Sequence, residues 1–231
     1  MESAEPRGVV RLGRGAKAAE ARPAVPDLAD HVRVKAPEVF ITLVSILIGI
    51  VFADLVAEAR ARMHLWPLDG LALRTLGQIT GTMLSGLAAW ATYAYLAISR
   101  RHLPWYGETL SAVYAPLLLL VGNSFVGLPV VWPWLYAASA FLALGAVSLT
   151  LNVNLVAGAE GARFRRILRP FGCMVVVYLG VPAYFAAALA DQFGRLPEAI
   201  GLLFSLIAGP AAVAYSLLFF RDWRRALDGA D

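Results

Sequence analysis

The sequence contains a single cysteine, Cys173, and its three histidines all lie outside the long apolar segments. One cysteine cannot form an intrachain disulfide, a CxxC redox pair or a thiolate metal cluster within one chain. Without histidines inside the apolar segments, neither a buried haem nor a histidine metal triad is expected. We therefore predict no metal site and no cofactor.

Charge is also scarce. Charged residues make up 16% of the chain, against about 25% in an ordinary soluble domain, and none occurs between Glu108 and Glu160. Hydrophobic residues reach 59%, and the mean hydropathy is +0.66. This composition excludes an ordinary soluble enzyme and is typical of an integral membrane protein.

Catalytic motifs are missing from the sequence. It has neither a Walker loop nor an HExxH pair. The nearest match to a serine elbow is Gly122, Asn123 and Ser124, and the apolar segments contain no histidine that could act as its base. We expect a protein that is not an enzyme, and an intramembrane enzyme is kept as a third alternative.

The apolar segments have the length of membrane spans. A helix of about 20 apolar residues crosses the roughly 30 Å hydrocarbon core of a bilayer. Six segments fit this length: 39–57, 71–98, 109–128, 131–153, 171–190 and 199–220. The predicted fold class is therefore all-α, a polytopic membrane protein with a bundle of six transmembrane helices.

The two ends of the chain are predicted to be tails. Residues 1–38 are rich in Arg, Glu, Asp, Pro and Ala and have no hydrophobic period, so we expect a disordered N-terminal tail there. Residues 221–231 form a short C-terminal tail after the last apolar segment.

The basic residues predict the orientation of the bundle. Sixteen of the twenty Arg and Lys residues fall in the two tails and in the second and fourth connections. Because cytoplasmic loops retain positive charge, both termini are predicted to be cytoplasmic. The many arginines and alanines, with only two lysines, point to a bacterial chain and hence to the cell inner membrane. The bilayer is the predicted partner, and no nucleic acid is expected because the basic residues do not form one face.

The fourth connection carries a basic cluster. Its members are Arg163, Arg165, Arg166 and Arg169. On a cytoplasmic surface, each arginine contributes about 1 kcal/mol of attraction to anionic lipid. We predict that this cluster contacts anionic lipid.

Small residues recur at every fourth position in three of the apolar segments. They are Ser45, Gly49 and Ala53 in the first, Gly77, Gly81 and Ser85 in the second, and Gly201, Ser205 and Gly209 in the sixth. This spacing places each set on one helix face, where small side chains let helices approach closely inside lipid. We predict that the first two helices pack as a close hairpin. The alternative is a seam between copies of the chain.

Polar residues gather toward the outer end of the predicted bundle. Arg74, Gln78, Thr82 and Ser85 form a stripe on the second helix, and Asp54 in the first helix lies at a depth similar to that of Arg74. A carboxylate and a guanidinium at this depth are expected to pair, because an isolated charge in a low dielectric is costly. The predicted outward-facing vestibule, or intramembrane ion pair, comprises Asp54, Arg74, Gln78, Thr82 and Asn123, with Ser124, Asp191 and Gln192 at comparable height.

A simpler interpretation of the same residues stays open. In it, Asp54 and Glu58 cap the outer end of the first helix beside Arg62, while Arg74 anchors the start of the second.

Two functions fit these patterns. The first is a small-solute or ion permease, or a channel-like protein, in which prolines 116, 182 and 210 permit helix movement. The second is a non-transporting accessory or scaffold subunit, because most of the predicted helices have no polar residue at their middle. Such a subunit would need a membrane partner, and a homo-oligomer is also possible.

Overall fold

The computed structural model describes residues 28–62, 69–100, 106–155 and 172–228. These residues form six helices and no strand. The helices are α1 (Leu28–Arg62), α2 (Gly70–Arg100), α3 (Tyr106–Asn123), α4 (Trp132–Leu155), α5 (Gly172–Gln192) and α6 (Glu198–Asp228). The prediction of an all-helical chain is confirmed for this part of the molecule.

The first and last helices are longer than the apolar segments that the sequence analysis identified. α1 begins at Leu28 rather than at Val39, and α6 continues to Asp228 rather than ending near Phe220. Hydropathy finds only the apolar part of a helix, whereas backbone hydrogen bonding continues through polar residues that tolerate helix. Both helices therefore extend into the segments predicted as tails, of which residues 1–27 lie outside the described ranges.

Three helices in the described ranges are long and apolar enough to cross a membrane. They contain the stretches Lys35–Arg62, Cys173–Gln192 and Glu198–Arg221. Shorter apolar helices occur at Thr109–Asn123 and Trp132–Ser148. By length and composition, the chain is therefore plausible as a membrane protein.

Consecutive helices alternate in direction, so three connections lie at the same end of the bundle, which we call the loop end. There, an Arg62 guanidinium nitrogen at the end of α1 lies 2.7 Å from the Ser124 carbonyl oxygen after α3. An Asp191 oxygen near the end of α5 lies 3.1 Å from the Val131 nitrogen before α4. At the opposite end, the rings of Tyr95 on α2 and Phe220 on α6 are 4.9 Å apart.

The closest helix contact joins α2 to α6 through glycines. A Cβ atom added to Gly77 would lie 2.8 Å from the Ser205 carbonyl carbon, and one added to Gly81 would lie 2.6 Å from the Ala208 Cβ. A Cβ on Gly209 would lie 3.3 Å from the Thr80 Cγ2. Gly77 and Gly81 of α2 thus pack against α6. The α2 glycine that meets α1 is Gly86, where an added Cβ would lie 2.9 Å from the Phe52 Cε1.

The small residues of α1 do not lie in a buried helix contact in the described ranges, although the Ser45 hydroxyl accepts a hydrogen bond from the Trp90 indole of α2 at 2.9 Å. Ser45, Gly49 and Ala53 are exposed, and a Cβ added to Gly49 would meet nothing within 4 Å. The buried residues of α1 lie on a different face of the helix, and they are Phe40, Val44, Ile48, Val51 and Leu55. Small residues at every fourth position share one helix face, but this spacing does not show which face of the helix is buried. In α1, the face with the large apolar side chains is the one that packs against α2 and α3.

Candidate functional site: a clamped connection and a central cavity

The α3–α4 connection, residues 124–131, lies at the loop end. It turns sharply at Gly127, whose φ of 71° is in the left-handed region that favours glycine. Its peptide groups cannot all pair within so short a segment, so they need partners from elsewhere. Side chains from α1, α2 and α5 supply several of them.

Arg62, in the last turn of α1, bonds the first part of the connection. One guanidinium nitrogen donates to the carbonyl oxygens of Ser124, at 2.7 Å, and Val126, at 3.1 Å. The other terminal nitrogen lies 2.9 Å from a Glu58 carboxylate oxygen one turn earlier. The simpler interpretation of this end, with Glu58 beside Arg62, therefore agrees with the geometry.

Arg74 bonds the second part of the connection from α2. Its side chain is buried, and one terminal nitrogen donates to the carbonyl oxygens of Leu128, at 2.6 Å, and Pro129, at 2.9 Å. A guanidinium offers five donors in a fixed plane, which suits it to binding two adjacent carbonyl groups. Arg74 is thereby a structural ligand of the connection.

Gln78 and Asn123 are both completely buried, with no exposed side-chain surface. The Gln78 side-chain oxygen accepts a hydrogen bond from the Gly127 nitrogen at 3.0 Å. The Asn123 amide nitrogen donates to the Val51 carbonyl oxygen and to an Asp54 carboxylate oxygen, both at 2.9 Å. Asn123 thus ties the end of α3 to α1, and Gln78 ties α2 to the turn.

Asp191 bonds the last part of the connection. Its Oδ2 accepts hydrogen bonds from the backbone nitrogens of Val131, at 3.1 Å, and Trp132, at 2.9 Å. Its neighbour Gln192 accepts a hydrogen bond from the Tyr136 hydroxyl at 2.8 Å. These bonds join the end of α5 to the start of α4.

We call Arg62, Arg74, Gln78, Asn123 and Asp191 the connection clamp. The structure brings the predicted vestibule residues close to one another at the loop end, but it uses most of them to hold backbone. The predicted ion pair between Asp54 and Arg74 is not formed, because Asp54 binds Asn123 and Arg74 binds two carbonyl groups. The carbonyl oxygens of a tight turn can accept the hydrogen bonds of a buried guanidinium in place of a carboxylate. Residue spacing in the sequence does not show which of these acceptors lies nearby.

Three buried polar atoms of the clamp have no hydrogen-bond partner among the described residues. They are the Nε of Arg74, the Nε2 of Gln78 and the Oδ1 of Asn123. The clamp therefore combines strong bonds with unused hydrogen-bonding capacity, and each unpaired buried atom costs about 1 to 3 kcal/mol.

A cavity of about 350 Å³ lies between α2, α3, α4, α5 and α6, and α1 does not line it. Its wall contains no charged residue. Many wall residues are glycine or alanine, which leave space between the helices. These small residues include Ala88, Ala115, Gly122, Ala138, Gly145, Gly180 and Ala212.

Two hydroxyl-bearing residues line the cavity from neighbouring turns of α2. Thr82 is only 5% exposed and Ser85 is half-buried, and both line the cavity. Neither hydroxyl has a hydrogen-bond partner within the described part of the chain. Of the predicted vestibule residues, Thr82 alone lines this cavity.

Hydroxyl groups at the end of the cavity farther from the connection are paired. Thr92 donates to the Ala88 carbonyl oxygen at 2.8 Å, so Tyr215 donates to the Thr92 hydroxyl in their 3.2 Å contact. Ser111 and Ser148 are 3.1 Å apart. This end of the cavity is polar but internally satisfied.

Aromatic residues line the cavity near the connection. Trp134 is 3% exposed, and its ring centroid lies 6.2 Å from that of Tyr184, which is 5.0 Å from that of Phe204. The Tyr184 hydroxyl donates to the Phe204 carbonyl oxygen at 2.9 Å. Sequence reasoning missed these residues, because an aromatic side chain near a helix end fits a lipid-facing position as well as an internal one.

The basic cluster at 163–169 lies outside the described residues. Within the described ranges, no group of three His, Cys, Asp or Glu side chains is placed to hold a metal ion. Comparisons with protein-family models, curated proteins and solved structures give no match to this chain.

Proposed function

We propose that the chain is an integral membrane protein of six spanning helices and that it acts as a small-solute permease whose binding chamber is the central cavity. Three apolar helices of spanning length and the alternating helix directions support the membrane part of this proposal. A cavity lined by five of the helices supports the binding part.

The orientation is proposed from charge. The loop end has four of the twenty basic residues, at positions 60, 62, 74 and 195. Because positive charge is retained in the cytoplasm, the loop end is placed outside and both termini are placed inside.

The cavity is the single observation that carries the permease proposal. Its volume of about 350 Å³ lies within the range of roughly 300 to 1,000 Å³ in which proteins bind small molecules. It is lined by α5 and α6, which contain Pro182 and Pro210. Each proline removes one backbone hydrogen bond, so both helices can bend at that level.

The connection clamp has a different role in this proposal. Arg74 and Gln78 bind the backbone of the α3–α4 connection, and Asn123 binds α1. These residues stabilise the loop end above the chamber and do not bind solute. Residue Thr82 and its neighbour Ser85 are the polar groups left to contact solute.

Cysteine accessibility tests the chamber without knowledge of the solute. In a Cys173→Ala background, we expect Ser85→Cys in sealed vesicles to react with a membrane-impermeant maleimide from one aqueous side. The control Leu217→Cys, at a 66% exposed position on α6 outside the cavity, is expected to react only with a lipid-soluble maleimide. If Ser85→Cys also reacts with the lipid-soluble reagent alone, the permease proposal fails.

The same background tests the orientation. Phe193 is 67% exposed at the loop end, and Lys35 is exposed toward the opposite end. In whole cells, we expect the impermeant maleimide to label Phe193→Cys and not Lys35→Cys. Labelling of Lys35→Cys alone would indicate the opposite topology. Labelling of both variants would show that no membrane separates the two positions.

One observation favours the second function, an accessory subunit or a homo-oligomer. The small-residue face of α1 is exposed, and Gly49 has open space around it. Faces of this kind pack against other helices in membranes. We expect Gly49→Leu to release a co-purifying subunit, or to convert an oligomer to a monomer, in mild detergent. A native mass equal to one chain for the unmodified protein would remove this alternative.

A further inference from the structure

The exposed residues of the cavity wall all lie on α5 and α6, and we call this side of the cavity its opening. Three wall residues are exposed. They are Leu179 and Ala183 on α5 and Ile207 on the neighbouring helix α6. Ile207 is nine residues from the start of α6, which is roughly 13 Å at 1.5 Å per residue. The opening is therefore near the middle of α5 and about a third of the way along α6, away from the connections.

Contacts between α5 and α6 frame the opening. On the loop-end side, the Tyr184 hydroxyl binds the Phe204 carbonyl group at 2.9 Å. On the other side, Cys173 and Val177 pack in one buried cluster with Phe219. If both helices span the bilayer, a gap framed in this way faces hydrocarbon and not water.

The wall of the cavity selects against charge. It contains no ionisable acid or base except tyrosine hydroxyls. Placing an unpaired ion in such a site costs far more than placing a neutral molecule there. A ligand of this cavity is therefore uncharged.

The wall also has one unused polar position. Thr82 and Ser85 lie about one helical turn apart and both line the cavity, and their hydroxyls have no protein partner in the described ranges. The hydroxyls at the other end of the cavity already bond one another. A bound molecule would thus place one hydrogen-bonding group at Thr82 and Ser85 and apolar surface elsewhere.

We propose that the central cavity binds an uncharged amphiphile, with an apolar body and one hydroxyl or carbonyl group, which enters from the bilayer between α5 and α6. This inference rests on the proposed permease function, since it names the substrate class of the same chamber. Pro182 and Pro210 flank the opening in sequence, next to Ala183 and close to Ile207. Bending at these prolines widens the opening.

The probe for this proposal is an aliphatic alcohol of about ten carbons that carries a diazirine, added to the full chain in lipid nanodiscs. Photolabelling and peptide mass spectrometry locate the label, and decanol, decanoate and decylammonium compete for it. We expect label on peptides of α2, α5 and α6 that line the cavity. Because only the neutral head group avoids the cost of burying charge, decanol should compete about a hundredfold better than either ion.

Two pairs of variants separate binding in the cavity from lipid-like contact at the surface. Ala138 and Ala212 line the cavity, whereas Ala140 and Ala214 are exposed on the same two helices and do not line it. We expect Ala138→Leu and Ala212→Leu to reduce specific labelling about tenfold by filling the cavity. Ala140→Leu and Ala214→Leu should label as the unmodified protein does.

A third pair tests the polar position. Thr82→Val removes a hydroxyl from the cavity at nearly constant shape, whereas Thr80→Val removes an exposed hydroxyl that bonds within α2. Loss of one neutral hydrogen bond should weaken competition by decanol about threefold to tenfold in Thr82→Val alone.

The entrance supplies a test that does not depend on filling the cavity. Ala183 borders the opening, and Ala186 is exposed on α5 outside it. We expect Ala183→Trp to slow labelling of the cavity, with Ala186→Trp as its control. This pair decides the case if the leucine variants fail to fold.

The proposal is overturned if decanoate competes as well as decanol, or if labelling is equal in both members of the leucine and tryptophan pairs. Its failure is distinguishable from that of the permease function. Cavity labelling without aqueous reactivity of Ser85→Cys would leave a lipid-accessible binding site that does not transport. Aqueous reactivity without alcohol labelling would leave a permease for another kind of solute.

Discussion

The Asp191 carboxylate at the end of α5 caps α4, with its Oδ2 2.9 Å from the backbone nitrogen of Trp132, the first residue of that helix. A helix is usually capped by a side chain of the residue before it. Here that residue is Val131, which has no polar side chain, so the cap comes from a different helix. The start of α4 and the end of α5 are therefore stabilised together.

Removing this cap should destabilise the protein. We expect Asp191→Ala to lower the free energy of unfolding by about 2 kcal/mol, the upper part of the range for caps, because two backbone nitrogens lose an ionised acceptor. Unfolding of the detergent-solubilised protein by heat or denaturant measures the change. Arg195→Ala, at an exposed position nearby, should change stability by less than about 0.5 kcal/mol. Equal effects of the two substitutions would argue against the cap.

Double-mutant cycles distinguish the observed partners from the ion pair that the sequence suggested. We expect Asp54→Ala and Asn123→Ala to couple by about 1 kcal/mol, because their side chains share a hydrogen bond. Asp54→Ala and Arg74→Ala should be additive within about 0.5 kcal/mol. Strong coupling in the second cycle would restore the ion pair and contradict the clamp.

Two glycine substitutions should change the free energy of unfolding in opposite directions. Gly77→Ala would place a Cβ against the backbone of Ser205, at 2.8 Å from its carbonyl carbon, so we expect a loss of about 1 to 3 kcal/mol. Gly49→Ala meets no atom within 4 Å and lowers the backbone entropy of the unfolded chain, so we expect a gain of about 0.5 to 1 kcal/mol. Comparison of the unfolding midpoints of the two variants tests the α2–α6 contact. If Gly49→Ala lowered stability as much as Gly77→Ala, α1 would pack as tightly at Gly49 as α2 does at Gly77.

Tyr184→Phe should loosen the opening between α5 and α6. It removes the hydroxyl that donates to the Phe204 carbonyl oxygen and leaves the ring in place. We expect photolabelling of the cavity to become faster, with a loss of stability of about 1 kcal/mol. Tyr136→Phe removes an exposed hydroxyl bond to Gln192 and serves as the control. Unchanged labelling kinetics in Tyr184→Phe would mean that this bond does not restrict entry.

The helical class and the positions of the helices could be read from the sequence because long apolar segments are a composition signal. The ends of α1 and α6 could not, since Leu28 and Asp228 lie in polar sequence where only backbone hydrogen bonding marks the helix. Spacing placed Gly77 and Gly81 on one face of α2, but it could not tell that this face meets Ser205 and Ala208 of α6 rather than α1. Nor could it tell that a Cβ on Gly49 would meet nothing within 4 Å. Which face is buried depends on all the neighbouring side chains at once.

For the polar residues at the loop end, too, the sequence predicts one property and not another. Their shared depth was predictable, because helix spacing fixes the height of Arg74, Gln78 and Asp54. Their partners were not, because a backbone carbonyl group such as that of Leu128 has no signature in the sequence. The cavity was missed for a related reason: the alanines and glycines that line it are the same residue types that close other helix contacts.

The connection clamp joins residues that are synthesised at different times. The chain emerges from the ribosome starting at its N-terminus. Asp191 lies 59 residues after Trp132, so α4 is synthesised well before the residue that caps it. Until α5 arrives, the nitrogens of Val131 and Trp132 lack the acceptor they have in the finished molecule. The hairpin of α3 and α4 is therefore completed by a later helix, and a chain truncated before residue 191 lacks the acceptor for these two nitrogens.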